Sequence, residues 1–156
     1  MKSDSDELLA ICTAIEHETG ALYLYFSELF LDMPEIARML RKMMVEKENH
    51  VLQLQLAAKL EQRYEVDALK NIDQAQQLLN LVNGLQARVR EYPPTWRNAL
   101  KFAIELENKL SQFYADNALV FAEDSFNSVY MAMKSHDEDQ VLAMTQYLDA
   151  PTDLTL

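Results

Sequence analysis

Four side chains that could bind a metal ion interrupt apolar helical patterns in this chain. Glu18 and Glu107 stand between apolar residues spaced three and four positions apart, and His50 and His136 interrupt similar patterns further along. Burying an unpaired carboxylate costs several kcal/mol even after relaxation, so each glutamate needs a compensating partner. A lone histidine on such a face is more often a hydrogen-bonded core residue, but here each half of the chain supplies one glutamate and one histidine. Together they form a candidate N2O2 site for iron, zinc or manganese.

Helical periodicity dominates the segments that must position these side chains. Apolar residues recur every three to four positions over about 6–31, 36–62, 96–120 and 125–148, and no window alternates with period two. Asp32 and Thr95 are good N-caps beside prolines that interrupt the pattern. The sequence predicts one all-α domain over 1–156, with helical hairpins at about 6–62 and 96–148. The crossover between them, about 63–94, contains a further helix at 73–89.

The two hairpins carry an internal repeat. Residues 14–18 align with residues 103–107, which matches Glu18 with Glu107, and Tyr25 then aligns with Tyr114 at the same offset. The repeat predicts a pseudo-two-fold axis that relates the first two bundle helices to the last two. In this alignment Glu16 lies off the apolar stripe and is expected to be solvated.

These motifs resemble the rubrerythrin branch of the ferritin-like superfamily, over both hairpins. In that family the first and third helices carry Ala-Ile-x-x-Glu, followed about seven residues later by an aromatic pair, as residues 14–26 and 103–114 do here. The resemblance implies a ferritin-like four-helix bundle with a crossover between its second and third helices. It also implies that Glu18 and Glu107 are terminal iron ligands, with Tyr25 and Tyr114 near the carboxylates. The family's activity would be non-haem iron redox chemistry with oxygen or peroxide.

The second and fourth helices depart from the Glu-x-x-His pattern of that family. His50 and His136 match its histidines, but Lys47 and Met133 occupy the positions of the glutamates that bridge two irons there. An intact site balances four carboxylates against two divalent ions, whereas two carboxylates and one ammonium remain here. Two divalent ions would leave about three uncompensated positive charges, which a low-dielectric core strongly disfavours.

Three states of this core therefore stay open: a metal-free network held together by Lys47, a site for one divalent ion, and a site for two. Glu46, four residues before His50, is an alternative ligand. Asp139 is close enough in sequence to orient the His136 ring. The corresponding functions are a rubrerythrin-like protein that binds iron or another divalent metal, and a metal-free bundle that acts as a structural or partner-binding scaffold.

Composition restricts the location and the partners of the protein. Twenty-five acidic and 14 basic residues give a net charge of −11, which repels nucleic acid and anionic membranes. The sequence has no uncharged apolar run of transmembrane length, and its acidic start is unlike a signal peptide. A single cysteine, Cys12, excludes an internal disulfide framework. These features predict a cytoplasmic protein, and such bundles are expected to form homodimers through an outer helix face.

Overall fold

The described part of the chain is all-helical. The computed structural model describes residues 4–60, 69–118 and 124–149. These ranges contain α1 (Asp4–Leu29), α2 (Pro34–Leu60), α3 (Leu69–Glu91), α4 (Trp96–Ala118) and α5 (Asp124–Asp149), and no strand. The prediction of an all-α fold is confirmed. The predicted helix ends at 62 and 120 and the first crossover residues, 63–68, lie outside the described residues.

Proline and capping residues set the helix boundaries that face the two described turns. Pro34 is the first residue of α2 and Glu35 lies in its first turn, where proline costs no hydrogen bond and an acidic group favours the helix dipole. Thr95 caps α4, because its Oγ1 accepts a hydrogen bond from the Asn98 amide at 3.3 Å. α2 and α4 therefore begin where the sequence predicts, whereas α3 begins at Leu69, before the predicted start at residue 73.

The five helices pack as two hairpins and a covering helix. α1 lies along α2, α4 lies along α5, and α2 contacts α5 between the hairpins. α3 packs against α1 and α4. No helix in the described ranges combines the length and the hydropathy needed to span a membrane.

α1 carries buried or partly buried residues on two opposite faces, because it lies between the other bundle helices and α3. One face enters the core, with Leu8, Cys12, Ile15 and Phe26 fully buried. The opposite face carries Glu18, which contacts α3. Glu16 and Glu18 are two positions apart, so their side chains differ by about 200° in direction around the helix axis. The predicted stripe of α1 therefore combined residues from two faces.

The buried positions of the two hairpins coincide in a register that differs from the predicted one. Every buried position between 8 and 23 in α1 has a buried counterpart 91 residues later in α4. Buried positions 43, 47, 50 and 54 of α2 have counterparts 90 residues later in α5. This register matches Glu16, rather than Glu18, with Glu107. The predicted alignment of Glu18 with Glu107 is therefore wrong.

Candidate functional site

A buried lysine ammonium lies at the centre of the bundle, among carboxylates from three other helices. Lys47 on α2 is fully buried. Its Nζ lies 2.8 Å from Oδ1 of Asp137 on α5 and 2.9 Å from both carboxylate oxygens of Glu107 on α4. Oε2 of Glu16 on α1 lies 3.5 Å away. The ammonium therefore joins all four helices of the two hairpins.

Two buried tyrosines connect the glutamates across the hairpins. The Tyr23 hydroxyl on α1 donates to Oε1 of Glu107 at 2.5 Å, and the Tyr114 hydroxyl on α4 donates to Oε1 of Glu16. Burial, followed by the charge of the adjacent glutamate, raises the pKa of each tyrosine well above its ordinary value. Both phenols consequently stay protonated and remain donors to the carboxylates.

Two histidines extend the cluster towards the surface. His50 Nδ1 lies 3.3 Å from Oε1 of Glu16, and His50 Nε2 lies 3.1 Å from Nδ1 of His136. The two rings are parallel, with centroids 5.4 Å apart. His50 is buried, whereas His136 is exposed. Gln140 occupies the position on α5 that matches His50, and its Nε2 donates to Oε2 of Glu46.

Three carboxyl groups share one ammonium, and the pKa values of two of them, Asp137 and Glu16, move in opposite directions. Burial alone would lower the pKa of Lys47, but the charges of Asp137, Glu107 and Glu16 raise it well above its ordinary value. Burial and then the charge of Glu107 raise the pKa of Asp137. Burial also opposes ionisation of Glu16, yet the Lys47 ammonium and the His50 hydrogen bond outweigh it, so the pKa of Glu16 is lowered. Asp137 is thus better suited than Glu16 to hold a proton.

The structure brings several of the predicted site residues together. Lys47, His50 and Glu107 are all buried at the cluster, and Tyr114 donates to a carboxylate there. His136 reaches the cluster only through the His50 ring. Met133 is buried in the apolar core. Its counterpart in the register of buried positions is Met43, so Met133 does not occupy the position equivalent to Lys47.

Glu18 and Tyr25 lie outside the cluster, contrary to the prediction. The Glu18 carboxylate accepts a hydrogen bond from Gln86 Nε2 of α3 at 2.8 Å. The Tyr25 hydroxyl donates to the backbone oxygen of Val89 at 3.1 Å, and the Arg90 guanidinium lies 4.5 Å from the centre of its ring. Both side chains serve the contact between α1 and α3, because they lie on the face of α1 opposite the core.

Glu16, Tyr23 and Asp137 are the cluster residues that the sequence prediction missed. Glu16 was expected to be solvated but is fully buried. The sequence offers two matches to the seven-residue spacing of Glu107 and Tyr114: Glu16 with Tyr23, and Glu18 with Tyr25. Two turns of helix place each glutamate and tyrosine on one face. The shared spacing therefore predicts a glutamate and tyrosine pair in the core, but it does not decide which of the two faces of α1 carries that pair.

The donor set at Lys47 does not fit a di-iron centre. Within the described residues, no group of three histidine, cysteine, aspartate or glutamate side chains is arranged to hold a metal ion. The Lys47 ammonium donates hydrogen bonds to carboxylate oxygens of Glu107 and Asp137. A di-iron centre would need those oxygens as metal ligands. The predicted ligand set of Glu18, His50, Glu107 and His136 does not converge on one point, because Glu18 faces α3.

Comparison with known proteins adds no family assignment. No protein-family model matches the chain, and neither a curated protein nor a solved structure does.

Proposed function

We propose that this protein is a ferritin-like bundle in which a lysine ammonium takes the place of metal ions, and that it acts as a metal-free scaffold for a partner. The observation that carries the proposal is the position of Lys47, with its Nζ 2.8 Å from Asp137 and 2.9 Å from Glu107 inside a fully buried cluster. The packing of α1 along α2 and of α4 along α5 supports the fold, and Lys47 argues for the loss of metal.

Electrostatic repulsion between the Lys47 ammonium and a metal ion is the physical reason to expect no metal at this cluster. Two unit positive charges 4 Å apart repel by roughly 4 kcal/mol at an effective dielectric constant of 20, so a divalent ion and an ammonium repel by roughly twice that. The ammonium also uses the lone pairs of Glu107 and Asp137 that face the centre. A metal ion would therefore need Lys47 to deprotonate, and the surrounding carboxylates raise the pKa of that group instead.

Iron loading of a charge-reversed variant tests this proposal. Wild-type protein reloaded anaerobically with ferrous iron and then desalted should retain none, whereas Lys47→Glu should retain a stoichiometric amount. Lys42→Glu, at an exposed position of the same helix, changes the net charge equally and should retain none. Stoichiometric iron in the wild type would contradict the proposal.

Exposed leucines on the outer face of the first hairpin provide a candidate partner surface, and we propose a second copy of this chain as the partner. Leu24 of α1 and Leu52 of α2 line one surface groove of about 450 Å³, although their side chains are 39% and 63% exposed. Exposed apolar patches of this kind mark interaction sites.

In sedimentation equilibrium, Leu52→Asp should shift the protein from dimer to monomer. Leu142→Asp on α5, at an equally exposed leucine (60%), should leave the dimer intact, and a monomeric wild type would rule out this surface.

A second candidate function is the binding of one divalent ion at the histidine pair. His50 Nε2 and His136 Nδ1 are 3.1 Å apart, close to the roughly 3.3 Å that separates two imidazole ligands of a tetrahedral zinc ion. Glu16 contacts the other nitrogen of His50, as carboxylates do behind metal-binding histidines. If the ion is iron, the resemblance to rubrerythrins implies non-haem iron redox chemistry with oxygen or peroxide.

Histidine variants separate this candidate from the metal-free scaffold. If one ion binds here, His136→Ala should abolish retention of zinc or ferrous iron, measured by elemental analysis. His17→Ala, at an exposed histidine of α1, should have no effect. Equal retention in both variants would exclude the histidine pair as the site.

A further inference from the structure

A chain of hydrogen bonds connects the buried cluster to the surface, and its donors all point inward. Burial opposes ionisation of Glu16, but the Lys47 ammonium outweighs it and lowers the pKa of this carboxyl, so the carboxylate only accepts. His50 Nδ1, 3.3 Å from Glu16 Oε1, therefore carries the proton of that contact. In the neutral ring, His50 Nε2 is then an acceptor. The proton of the 3.1 Å contact between the two rings consequently lies on Nδ1 of His136.

The contact between the two rings has the geometry of a straight hydrogen bond. The ring planes differ by 4° and the ring centres are 5.4 Å apart, although the facing nitrogens are only 3.1 Å apart. The difference matches the sum of the two ring radii, so both nitrogens lie close to the line between the ring centres. Such straight bonds are the strong ones. His136 is exposed, so the chain ends at the surface with Nε2 of His136, which carries the lone pair.

This order of groups is the one that activates a nucleophile in proteins. The nucleophile is hydrogen-bonded to a base, and the base is oriented by a third group. A carboxylate in the third place fixes the tautomer of the imidazole base and stabilises the imidazolium that forms when it takes a proton. His136 occupies the place of the nucleophile, His50 that of the base and Glu16 that of the carboxylate. An imidazole that attacks through Nε2 must lose its Nδ1 proton to stay neutral, and His50 is positioned to accept it.

His136 also lines a groove of about 410 Å³ between α2 and α5. Met39, Met43 and Tyr147 give this groove apolar walls, and ligand pockets in proteins commonly have a volume of this order. Charged side chains of both signs line it as well: Glu35, Glu46 and Asp139 are acidic, and Arg38 and Lys42 are basic. Because the signs are mixed, the lining suits a small uncharged molecule better than an ion.

We propose that His136 is a nucleophile towards small uncharged esters bound in this groove, with His50 as its base. The Nε2 lone pair forms a bond to the acyl carbon, the bond from that carbon to the alcohol oxygen breaks, and the alkoxide takes a proton from water. The Nδ1 proton moves to His50 Nε2, beside the Glu16 carboxylate. Water then hydrolyses the acyl-imidazole, His50 returns its proton, and the carboxylic acid leaves. This activity goes beyond the scaffold role, and a metal ion on the two facing nitrogens would abolish it.

Competitive labelling with diethyl pyrocarbonate tests the nucleophile within a single chain. This small uncharged reagent transfers an ethoxycarbonyl group to histidine nitrogens, and His17 of α1 is an exposed histidine that serves as the internal control. At pH 7 with EDTA present, peptide mass spectrometry should show His136 labelled at least about tenfold faster than His17, because a positioned base typically contributes about 10²–10⁴-fold. His50→Gln should bring the ratio close to one. A ratio close to one in the wild type would overturn the proposal.

Hydrolysis of p-nitrophenyl butyrate, followed by the absorbance of the released p-nitrophenolate, tests turnover. The wild type should be at least about tenfold faster than His136→Gln, whereas His17→Gln should keep the wild-type rate. Glu16→Gln should lower the rate at least about tenfold, because the His50 imidazolium loses its counter-charge. His50→Gln should also remove the solvent deuterium isotope effect, which a loss of packing alone would leave in place.

Two controls separate this activity from unfolding and from metal chemistry. Urea unfolding verifies that each variant is folded under the assay conditions. Equal rates for His136→Gln and His17→Gln, or a rate that needs His136 and not His50, would overturn the proposal. Turnover that appears only after zinc is added would overturn it as well, and would assign the histidine pair to a metal centre.

Discussion

Replacing Lys47 by methionine removes the only ammonium that faces the buried carboxylates described here and keeps an unbranched side chain of similar length. Glu16 and Glu107 would then lie in the core without their cation. Removing one partner of a buried ion pair typically costs about 3–5 kcal/mol. The free energy of unfolding of a domain is only about 5–15 kcal/mol, so we expect a large fraction of it to be lost.

The free energy needed to protonate a buried glutamate in this variant is of the same magnitude. A glutamate carboxyl with the ordinary pKa of 4.5 must bind a proton to remain buried without a cation. At pH 7 this costs about 3.4 kcal/mol, because each pH unit above the pKa contributes about 1.4 kcal/mol. At pH 5 the cost falls to about 0.7 kcal/mol by the same rule. The native variant binds more protons than its unfolded chain, so its stability should fall as the pH rises.

Urea unfolding followed by circular dichroism at pH 5 and pH 7 measures both effects. Lys47→Met should lose about 3–5 kcal/mol at pH 7 and clearly less at pH 5. Adding Glu16→Gln and Glu107→Gln should restore most of the loss, because neutral polar groups need no cation. Lys42→Met, at an exposed site, should change stability by less than about 0.5 kcal/mol. A loss below about 1 kcal/mol for Lys47→Met, within the ordinary range of point mutations, would refute the charge argument.

Three further predictions concern single residues of the cluster and its surroundings. Burial raises the pKa of Asp137 above its ordinary 3.8. The stability that the protonated Asp137 carboxyl contributes is therefore complete below about pH 4 and is lost as the pH rises through the native pKa. Asp137→Asn should flatten the profile of unfolding free energy against pH, measured by urea unfolding between pH 4 and 8. Tyr23→Phe removes a donor to a buried carboxylate and should cost about 1.5–3 kcal/mol by thermal unfolding, whereas Tyr25→Phe, which loses a neutral hydrogen bond, should cost about 1 kcal/mol. Glu16→Gln places an amide donor among groups that already donate and should cost about 1–3 kcal/mol. Glu18→Gln can still accept from α3 and should change stability by less than about 0.5 kcal/mol; equal losses for these two variants would contradict the register of α1.

The helices were predictable because their signals are local. Proline at 34 and at 93–94, the Thr95 cap and the apolar spacing act within one or two turns, so the described helix ends lie close to the predicted ones. Lys47 and Glu107 were also predictable as core residues. They lie on α2 and α4, where exposed positions separate the buried ones and periodicity points to one core direction.

The rest of the site depends on contacts between helices that periodicity does not encode. α1 is apolar on two sides, so its pattern fits Glu16 and Glu18 almost equally, and only the packing of α3 decides between them. Asp137 lies in the polar run 136–139, which the sequence pattern alone assigns to a solvated face. Only the packing of α5 against α2 shows that Asp137 is buried. The seven-residue spacing of Glu107 and Tyr114 does not select the face either, because Glu16 with Tyr23 and Glu18 with Tyr25 both repeat it.

The division of charge between the hairpins bears on the order in which the chain folds during synthesis. The first hairpin contains both Glu16 and Lys47, so it can form its own ion pair before the second hairpin exists. Glu107 and Asp137, in the second hairpin, both pair with Lys47 of the first. Because ribosomes release the N-terminal half first, the cation that the later half needs is already in place when that half emerges. A circular permutant that starts with the second hairpin would reverse this order, so Glu107 and Asp137 would be synthesised before the lysine that pairs with them.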